Sequence, residues 1–472
     1  MNKQEKRSNP KAKLISAILI CLAAALILLA IFAVKPILQR LADQKTLRNG
    51  EYNSVFLSMF PIDTFDEADF MHFRGDQLAK ITTILPNCRT LKSYLNDVSK
   101  SGNQLRVLYL GVDPRKVNAA QVLQFRDMFP GVQLEVIPAY RPLSDWLADP
   151  KADETLKAYV DLAQHLLDQQ NIRVFSFFAQ EWIIANPANY EEGLLLREET
   201  ARLLYVYTDD LHHCQFTRED FFPRIGDLEN LLQEAKNGAY TFPDLSDWDI
   251  AFFGDSVIGN YKGSHSIPNL VASLSGANCY NCGWGGTTAS GSDPSSGVNV
   301  IKSYFDGILP EIPENAGVQD DFRRKLADAQ NASGKRELFV LHYGINDYLK
   351  GVLLESEDPY DPNTYCGALR TIIETIRQNR PNASIFLMTP NPLICYHHGE
   401  DVGGENCSPL SAFVEAIGKI AREYDLPVQD TYHDVIPIEN MTHLMDGEIH
   451  PNEYGRYLIV KEFLRIMKTC YQ

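Results

Sequence analysis

The sequence predicts an α/β protein whose C-terminal half is a three-layer α/β/α sandwich built around a parallel sheet. Three apolar strands in that half each end in a polar or turn-forming motif: Asp249–Phe253, Leu338–Tyr343 and Ser384–Thr389. The segments predicted as helices lie between and after them, at Asn363–Arg380, Ser411–Asp425 and Glu453–Met467. Strands that alternate with helices pair in parallel through right-handed crossovers, with helices on both faces of the sheet.

A smaller α/β unit is predicted at residues 52–237. Short runs rich in β-branched and aromatic residues indicate strands, and they are Leu105–Val112, Val132–Ile137 and Ile172–Phe178. Asp153–Gln169 carries apolar residues at helical spacing. The turn-rich segment 238–248 is the predicted linker, so the sandwich domain occupies residues 249–472.

The N-terminal region predicts a single membrane-spanning helix. Leu14–Val34 is an apolar run of 21 residues without a charge, which is long enough to cross a bilayer. The basic tail at 1–13 carries five Lys and Arg residues against Lys35 and Arg40 at the start of the stalk at 35–51. The positive-inside rule therefore places the N-terminus in the cytoplasm and the domains outside it. A cleaved signal peptide is the alternative, but its apolar region is usually shorter and ends in a small-residue site.

The charge distribution argues against nucleic acid as a partner. The 472-residue chain is 45% apolar and 22% charged, which is typical of a globular protein. Its net charge is -17, and because residues 1–13 carry +4, the rest of the chain carries -21. Such an acidic body repels phosphate-rich polymers.

The nine cysteines leave their roles open. Cys279 and Cys282 form a C-x-x-C spacing, but no second such pair accompanies it, so a metal site is the weaker interpretation. Cys395 and Cys407 bracket a loop, for which a disulfide is favoured over a metal site. The segment Leu393–Pro409 is interpreted either as a flap over a pocket or as a plain surface loop.

Two polar motifs follow strands of the predicted sandwich, where parallel sheets bind ligands. Ser256 stands in Gly-Asp-Ser directly after the first strand and is a candidate nucleophile, with a helix N-cap as the alternative. His450 lies in a loop before the last helix and is the candidate base. Asp446, four residues earlier, can accept the imidazole N–H and so orient the ring.

Candidate donors for an oxyanion come from two further segments. Asn281–Thr288 is a glycine-rich turn that contains Gly286 and exposes backbone N–H groups. Asn346 follows the second strand, and its side-chain amide can donate toward the same point. Each segment alone is consistent with an ordinary turn, whereas their joint occurrence indicates acyl transfer.

These four segments resemble, in order, the four sequence blocks of the SGNH/GDSL hydrolase superfamily, over about residues 248–470. Ser256 matches the nucleophile, Gly286 and Asn346 match the oxyanion residues, and His450 matches the base. One departure concerns the Asp that the family places three residues before the histidine, because position 447 here is glycine. Either Asp446 takes that role from one residue further back, or a backbone carbonyl does.

The resemblance implies a flavodoxin-like sandwich and a mechanism that needs no metal or organic cofactor. Ser256 attacks an acyl carbonyl, and the oxyanion is bound by Asn346 and by the backbone N–H groups of Gly286 and Ser256. The leading hypothesis is an extracytoplasmic ester hydrolase that acts on acylated small molecules or glycans. An O-acyltransferase that uses the same residues and a catalytically silent glycan-binding protein are the alternatives.

Overall fold

The computed structural model describes residues 37–205, 216–261, 263–309, 320–325, 335–393, 409–437 and 441–471. The chain divides into two compact units. The N-terminal unit consists of the described residues within Met1–Tyr140, Pro150–Phe178 and Leu194–Ile225. The C-terminal unit consists of those within Arg141–Asp149, Ala179–Gly193 and Gly226–Gln472. Three segments from the first half of the sequence, 141–149, 179–193 and 226–236, thus belong to the C-terminal unit.

Two predicted features lie outside the described residues. They are the membrane helix at Leu14–Val34, with its tail at 1–13, and the loop between Cys395 and Cys407. Over the part of the chain that the structure describes, no helix combines the length and the apolar character that crossing a membrane requires.

The N-terminal unit contains a five-stranded parallel sheet. Its strands are β1 Ser54–Ser58, β2 Leu78–Ile81, β3 Val107–Val112, β4 Gln133–Pro138 and β5 Ile172–Val174, in the order β2-β1-β3-β4-β5. The longer helices of this unit are 37–49, Cys88–Ser99, Ala119–Asp127, Ala152–Leu166 and Glu198–Tyr205. The helix Phe221–Lys236 begins in this unit, and from Gly226 onward it belongs to the C-terminal unit. Three of these strands and the helix Ala152–Leu166 confirm the α/β pattern that the sequence predicts for this region.

The C-terminal unit contains a second five-stranded parallel sheet. After the short strands β6 Tyr190–Glu192 and β7 Leu195–Leu196, the chain forms β8 Trp248–Gly254, β9 Asn278–Asn281, β10 Arg336–His342, β11 Ser384–Met388 and β12 Val428–Gln429. The sheet order is β12-β11-β10-β8-β9. A short antiparallel pair follows, β13 Met445–Asp446 and β14 His450–Pro451.

Helices cover the second sheet in two packed groups. In one, Ile267–Ser275 packs against Glu453–Tyr471, and in the other Tyr365–Asn379 packs between Gly297–Asp306 and Leu410–Tyr424. Shorter helices and helical turns of this unit include Leu143–Ala148, Glu181–Ile184, Pro187–Asn189, Ser256–Gly259, Ile345–Leu349, Thr431–Val435 and Met441–Leu444. Every residue of β8 is buried, as expected for a central strand with helices on both faces. The sandwich predicted from the sequence is therefore confirmed.

The two sheets share one strand order. In each, the first strand along the chain lies between the second and the third, and the fourth and fifth follow on the outside of the third. The order reverses beside the first strand, and ligands in open parallel sheets bind at the carboxyl ends of the strands at this switch point. In the C-terminal unit, the switch point is at the ends of β8, β9 and β10.

Candidate active site

Ser256 lies on the tight turn that follows β8. Gly254 ends the strand, and a Cβ there would come within 2.6 Å of the carbonyl oxygen of His342 on β10, so only glycine fits. The N-cap of the next short helix is Asp255, whose carboxylate accepts a hydrogen bond from the Val257 N–H at 3.0 Å. Asp255, and not Ser256, is therefore the N-cap of this helix. The Ser256 hydroxyl is available to other partners.

His450 meets Ser256 across the end of the sheet. Its Nε2 lies 2.8 Å from the Ser256 Oγ, within hydrogen-bonding distance. His450 begins β14, and the Asn452 N–H donates to the carbonyl oxygen of Leu444 at 2.9 Å just before the last helix. A Cβ at Gly455 would overlap that same carbonyl, so a glycine lets the helix approach closely. The base thus sits on a loop that is fixed to a long helix.

The surroundings of His450 favour the neutral imidazole. Partial burial lowers the pKa of His450 below its ordinary value, with a smaller contribution in the same direction from Arg456. Asp255 and Asp446 oppose this lowering because negative charge stabilises the imidazolium. A neutral ring with a free lone pair on Nε2 can accept the serine proton at neutral pH.

Asp446, the predicted orienter of the histidine, lies directly opposite His450 in the β13–β14 ladder. The residue is exposed. Among the residues that the structure describes, no hydrogen bond joins its carboxylate to the imidazole. The role of Asp446 as orienter therefore stays a prediction, and the structure supports only its electrostatic influence on the ring.

The glycine-rich turn packs against the nucleophile. The Trp284 N–H donates to the carbonyl oxygen of Gly254 at 2.9 Å, which ties the turn to the end of β8. A Cβ at Gly285 would lie 3.7 Å from the Ser256 Cβ. Gly286 follows with φ +77°, a left-handed conformation that favours glycine. The structure therefore brings this predicted oxyanion turn next to Ser256.

Asn346 joins the same loop from the end of β10. Its side-chain Nδ2 donates to the carbonyl oxygen of Thr287 at 2.9 Å. An amide nitrogen carries two protons, and no second acceptor for it is found within the described ranges. The second N–H of the Asn346 amide is thus available to a substrate oxygen. The hydrogen bond to Thr287 fixes the direction in which this N–H points.

Asp347 supports this loop from inside the protein, a role that sequence reasoning missed. Its carboxylate accepts hydrogen bonds from the Ala289 N–H at 2.8 Å, the Ser290 N–H at 3.1 Å and the Ser290 hydroxyl at 2.7 Å. Full burial raises the pKa of Asp347 to about 6. The signal available in the sequence was an acidic residue directly after Asn346 at a strand end. The three loop donors that need an acceptor there are visible only in the structure.

Lys350 is a second residue that sequence reasoning missed. Its Nζ donates to the carbonyl oxygen of Gly286 at 2.9 Å. Lys350 stands four positions after Asn346, so the helical turn between them places both side chains toward the same loop. The i, i+4 spacing of Asn346 and Lys350 is visible in the sequence. The carbonyl oxygen of Gly286 that Lys350 binds could not be identified from it.

The C-x-x-C pair is part of the protein core. Cys279 lies on β9 and Cys282 just after it, and both are buried free thiols. Burial raises the pKa of each thiol, which disfavours the thiolate that metal binding and nucleophilic attack require. Among the described residues, no group of His, Cys, Asp and Glu side chains is arranged to hold a metal ion.

The site as a whole contains a hydroxyl, an imidazole that can take its proton, and N–H donors from two loops at the carboxyl edge of a parallel sheet. That combination defines the class of serine acylhydrolases on a flavodoxin-like α/β/α sandwich. Residues 252–457 match the family model of the GDSL-like lipase/acylhydrolase family. The C-terminal half of the chain therefore carries a domain of this family, and the resemblance noted from the sequence motifs is confirmed.

Solved structures similar to the chain include a protein from Lactobacillus plantarum at 19% identity, covering 49% of this chain and 99% of the other, with a TM-score of 0.35. A member of the lipolytic G-D-S-L family from Veillonella parvula is 17% identical, with coverages of 47% and 98% and a TM-score of 0.32. A GDSL-like lipase from Bacteroides thetaiotaomicron is 16% identical, with coverages of 51% and 98% and a TM-score of 0.32. No curated protein matches the chain.

Proposed function

We propose that the protein is a serine ester hydrolase that removes acyl groups through a covalent acyl-enzyme. Ser256 is the nucleophile and His450 is the general base and acid. The observation that carries this proposal is the 2.8 Å approach of the His450 Nε2 to the Ser256 Oγ. The proposed donors for the oxyanion come from the Gly286 turn, where Gly285 lies against Ser256, and from Asn346, which is hydrogen-bonded to that turn.

In the acylation step, the Ser256 oxygen attacks the acyl carbonyl carbon while its proton passes to the His450 Nε2. The carbonyl electrons move onto the oxygen, which accepts hydrogen bonds from Asn346 and from the backbone N–H groups of Gly286 and Ser256. One such donor contributes roughly 3–4 kcal/mol to lowering the barrier. His450 then gives its proton to the departing alcohol oxygen, and the ester bond breaks.

In the deacylation step, water takes the place of the alcohol. His450 accepts a proton from the water as its oxygen attacks the Ser256 ester, and the same donors bind the second oxyanion. Collapse of this intermediate returns the proton to the Ser256 oxygen and releases the free acid. The carboxylates of Asp255 and Asp446 favour the imidazolium that forms in both steps.

The proposed setting is the outer face of a membrane, with acyl esters of glycans, acetyl esters among them, as substrates. The apolar run Leu14–Val34 and the basic tail before it support a single-pass anchor with the N-terminus in the cytoplasm. Full-length protein is expected in the membrane fraction, with its C-terminus open to protease in intact cells. Recovery of the full-length chain in the soluble fraction would contradict the anchor but not the chemistry.

The activity is tested with p-nitrophenyl acetate and with O-acetylated glycans. Ser256→Ala is expected to lose about 10⁴-fold or more in kcat, as when a triad enzyme loses its nucleophile. Ser356→Ala, in an exposed loop, is the matched control and keeps the parent rate. Hydrolysis by Ser256→Ala at the parent rate would defeat the proposal. A rise in acyl transfer to an added glycan, with a matching fall in free acid, would indicate a transferase instead.

A further inference from the structure

The imidazole of His450 is in contact with an aromatic ring. The rings of Tyr261 and His450 meet edge to face, with centroids 6.2 Å apart and planes at 76°. Because Nε2 faces the Ser256 hydroxyl as an acceptor, the neutral ring carries its proton on Nδ1. No acceptor for that Nδ1 proton is present among the described residues, so no hydrogen bond on that side fixes the orientation of the ring.

We propose that Tyr261, held in place by Arg456, is the positioning residue of His450 and orients its ring, to which no carboxylate is hydrogen-bonded among the described residues. The inference rests on the proposed function, because it matters only if His450 is the base. It concerns orientation alone: Tyr261 touches the base and is not required to touch the substrate.

The backbone of Tyr261 is fixed at the end of the sheet. Its carbonyl oxygen accepts a hydrogen bond at 3.2 Å from the side-chain Nδ2 of Asn281, the last residue of β9. The same Nδ2 donates to the carbonyl oxygen of Ile258 at 2.8 Å. Asn281 therefore ties the segment after the nucleophile helix to β9 and sets the place from which the Tyr261 ring projects.

Arg456 holds the face of the Tyr261 ring and the backbone beside the histidine at once. Its guanidinium carbon lies 3.7 Å from the centroid of the Tyr261 ring. Its Nη1 donates to the carbonyl oxygen of Pro451 at 2.6 Å, directly after His450, and its Nη2 donates to the Glu453 carboxylate at 2.6 Å. Arg456 is only 2% exposed, so this arrangement is shielded from competing water.

A segment from the first half of the sequence stands behind Arg456. The Arg456 Nε donates to the carbonyl oxygen of His265 at 2.7 Å. The His265 Nε2 lies 2.8 Å from the Asn189 Oδ1, and the Asn189 Nδ2 donates to the carbonyl oxygens of Trp182 and Ile183. Segment 179–193 thus supports the base through a continuous series of contacts within the C-terminal unit.

The contact also excludes water from the imidazole. Burial is the main reason that the pKa of His450 is lowered, and Tyr261 supplies part of that burial. The charged groups around the ring are Asp255 and Asp446, which favour the imidazolium, and Arg456, which opposes it. Removal of the Tyr261 ring should therefore loosen the base and raise its pKa toward the ordinary value.

The test compares Tyr261→Phe, Tyr261→Leu and Tyr261→Ala in the full chain. The phenylalanine variant keeps the ring and should retain kcat, whereas the leucine and alanine variants should lose about 10- to 100-fold in kcat with little change in KM, as for a misplaced catalytic group. The leucine variant keeps apolar volume at this position and is therefore the safeguard against a variant that fails to fold. Thermal unfolding checks that each variant is folded. Tyr360→Ala, whose hydroxyl faces Tyr424, is the matched control and keeps the parent kcat.

The pH profile of kcat/KM separates positioning from a merely structural role. In Tyr261→Ala the acidic limb should move to higher pH, because a raised pKa keeps His450 protonated up to a higher pH. If folded Tyr261→Ala keeps the parent kcat and its acidic limb does not move, the inference is overturned while the proposed function stands. The same holds if only KM changes in this variant. If the unmodified protein hydrolyses no ester, the proposed function fails and the inference fails with it.

Discussion

The His450 Nε2 lies 2.8 Å from the Ser256 Oγ, although 194 positions separate the two residues along the chain. Two fixed supports produce this approach. Ser256 stands on the turn after a fully buried strand, and His450 stands on a loop held by the last helix. Neither side chain depends on a long flexible segment to reach the other. The pair is therefore preorganised for proton transfer.

Asn346→Ala should lower kcat by about 100- to 1,000-fold, since it removes one side-chain donor to the oxyanion. KM should change far less because the donor acts mainly on the charge of the transition state. Steady-state kinetics with p-nitrophenyl acetate measures both. Asn379→Ala is the matched control, because that asparagine donates to the carbonyl oxygen of Thr375 on an exposed helix end. Equal effects in the two variants would argue against an oxyanion role.

Gly286→Ala should reduce kcat strongly while the fold persists. Gly286 has φ +77° and Gly307 has φ +72°, and a Cβ at either position meets nothing within 4 Å. Alanine therefore carries a similar backbone penalty of about 1–2 kcal/mol at both sites. Of these two glycines, only Gly286 is a proposed donor to the oxyanion. Comparable thermal stability in the two variants, with kcat lost only in Gly286→Ala, is the expected result, and an equal loss of kcat would contradict it.

The acidic limb of kcat/KM should have its midpoint below about 6.5, the ordinary pKa of histidine. His450 must be neutral to accept the serine proton, and burial lowers its pKa, so activity persists to lower pH than for an exposed histidine. Asp446→Asn removes a charge that raises this pKa and should move the limb further down. If the midpoint of the acidic limb in the unmodified protein lay above the ordinary pKa of histidine, the surroundings of His450 would favour the imidazolium. That result would contradict the prediction.

Asp347→Asn should destabilise the protein and lower kcat. An amide offers one acceptor oxygen in place of two, so at least one of the three donors from Ala289 and Ser290 loses its partner. The cost is about 1–3 kcal/mol for a buried unsatisfied group. Urea unfolding measures this cost, and Asp358→Asn, in an exposed turn, is a control. Unchanged stability would mean that the loop finds other acceptors.

The central features of the sandwich domain were predictable because each is encoded locally. A buried apolar strand that runs into Gly254-Asp255-Ser256 specifies its own turn, and the predicted strands lie within two residues of β8, β10 and β11. The carboxyl ends of parallel strands meet at one edge, so the positions of Ser256 and Asn346 followed from topology. Strand β9 was missed because its four residues, Asn-Cys-Tyr-Asn, carry little of the β-branched pattern that marks a strand.

Features that depend on tertiary contact could not be read from the sequence. Arg456 looks like an ordinary helical arginine, and only the fold places it against Tyr261 and the loop of His450. Segment 179–193 lies far from the catalytic motifs in sequence, yet it belongs to the C-terminal unit. Asp446 was chosen as orienter from its spacing to His450 alone, and because spacing does not fix the direction of a side chain, that role stays a prediction.

The most direct measurement is labelling of the full chain with a fluorophosphonate probe, followed by mass spectrometry of its peptides. A preorganised Ser256–His450 pair should place the adduct on Ser256, and both Ser256→Ala and His450→Ala should abolish labelling while they stay folded. An adduct on another residue, or ester hydrolysis by a chain whose Ser256 stays unlabelled, would contradict the proposed mechanism.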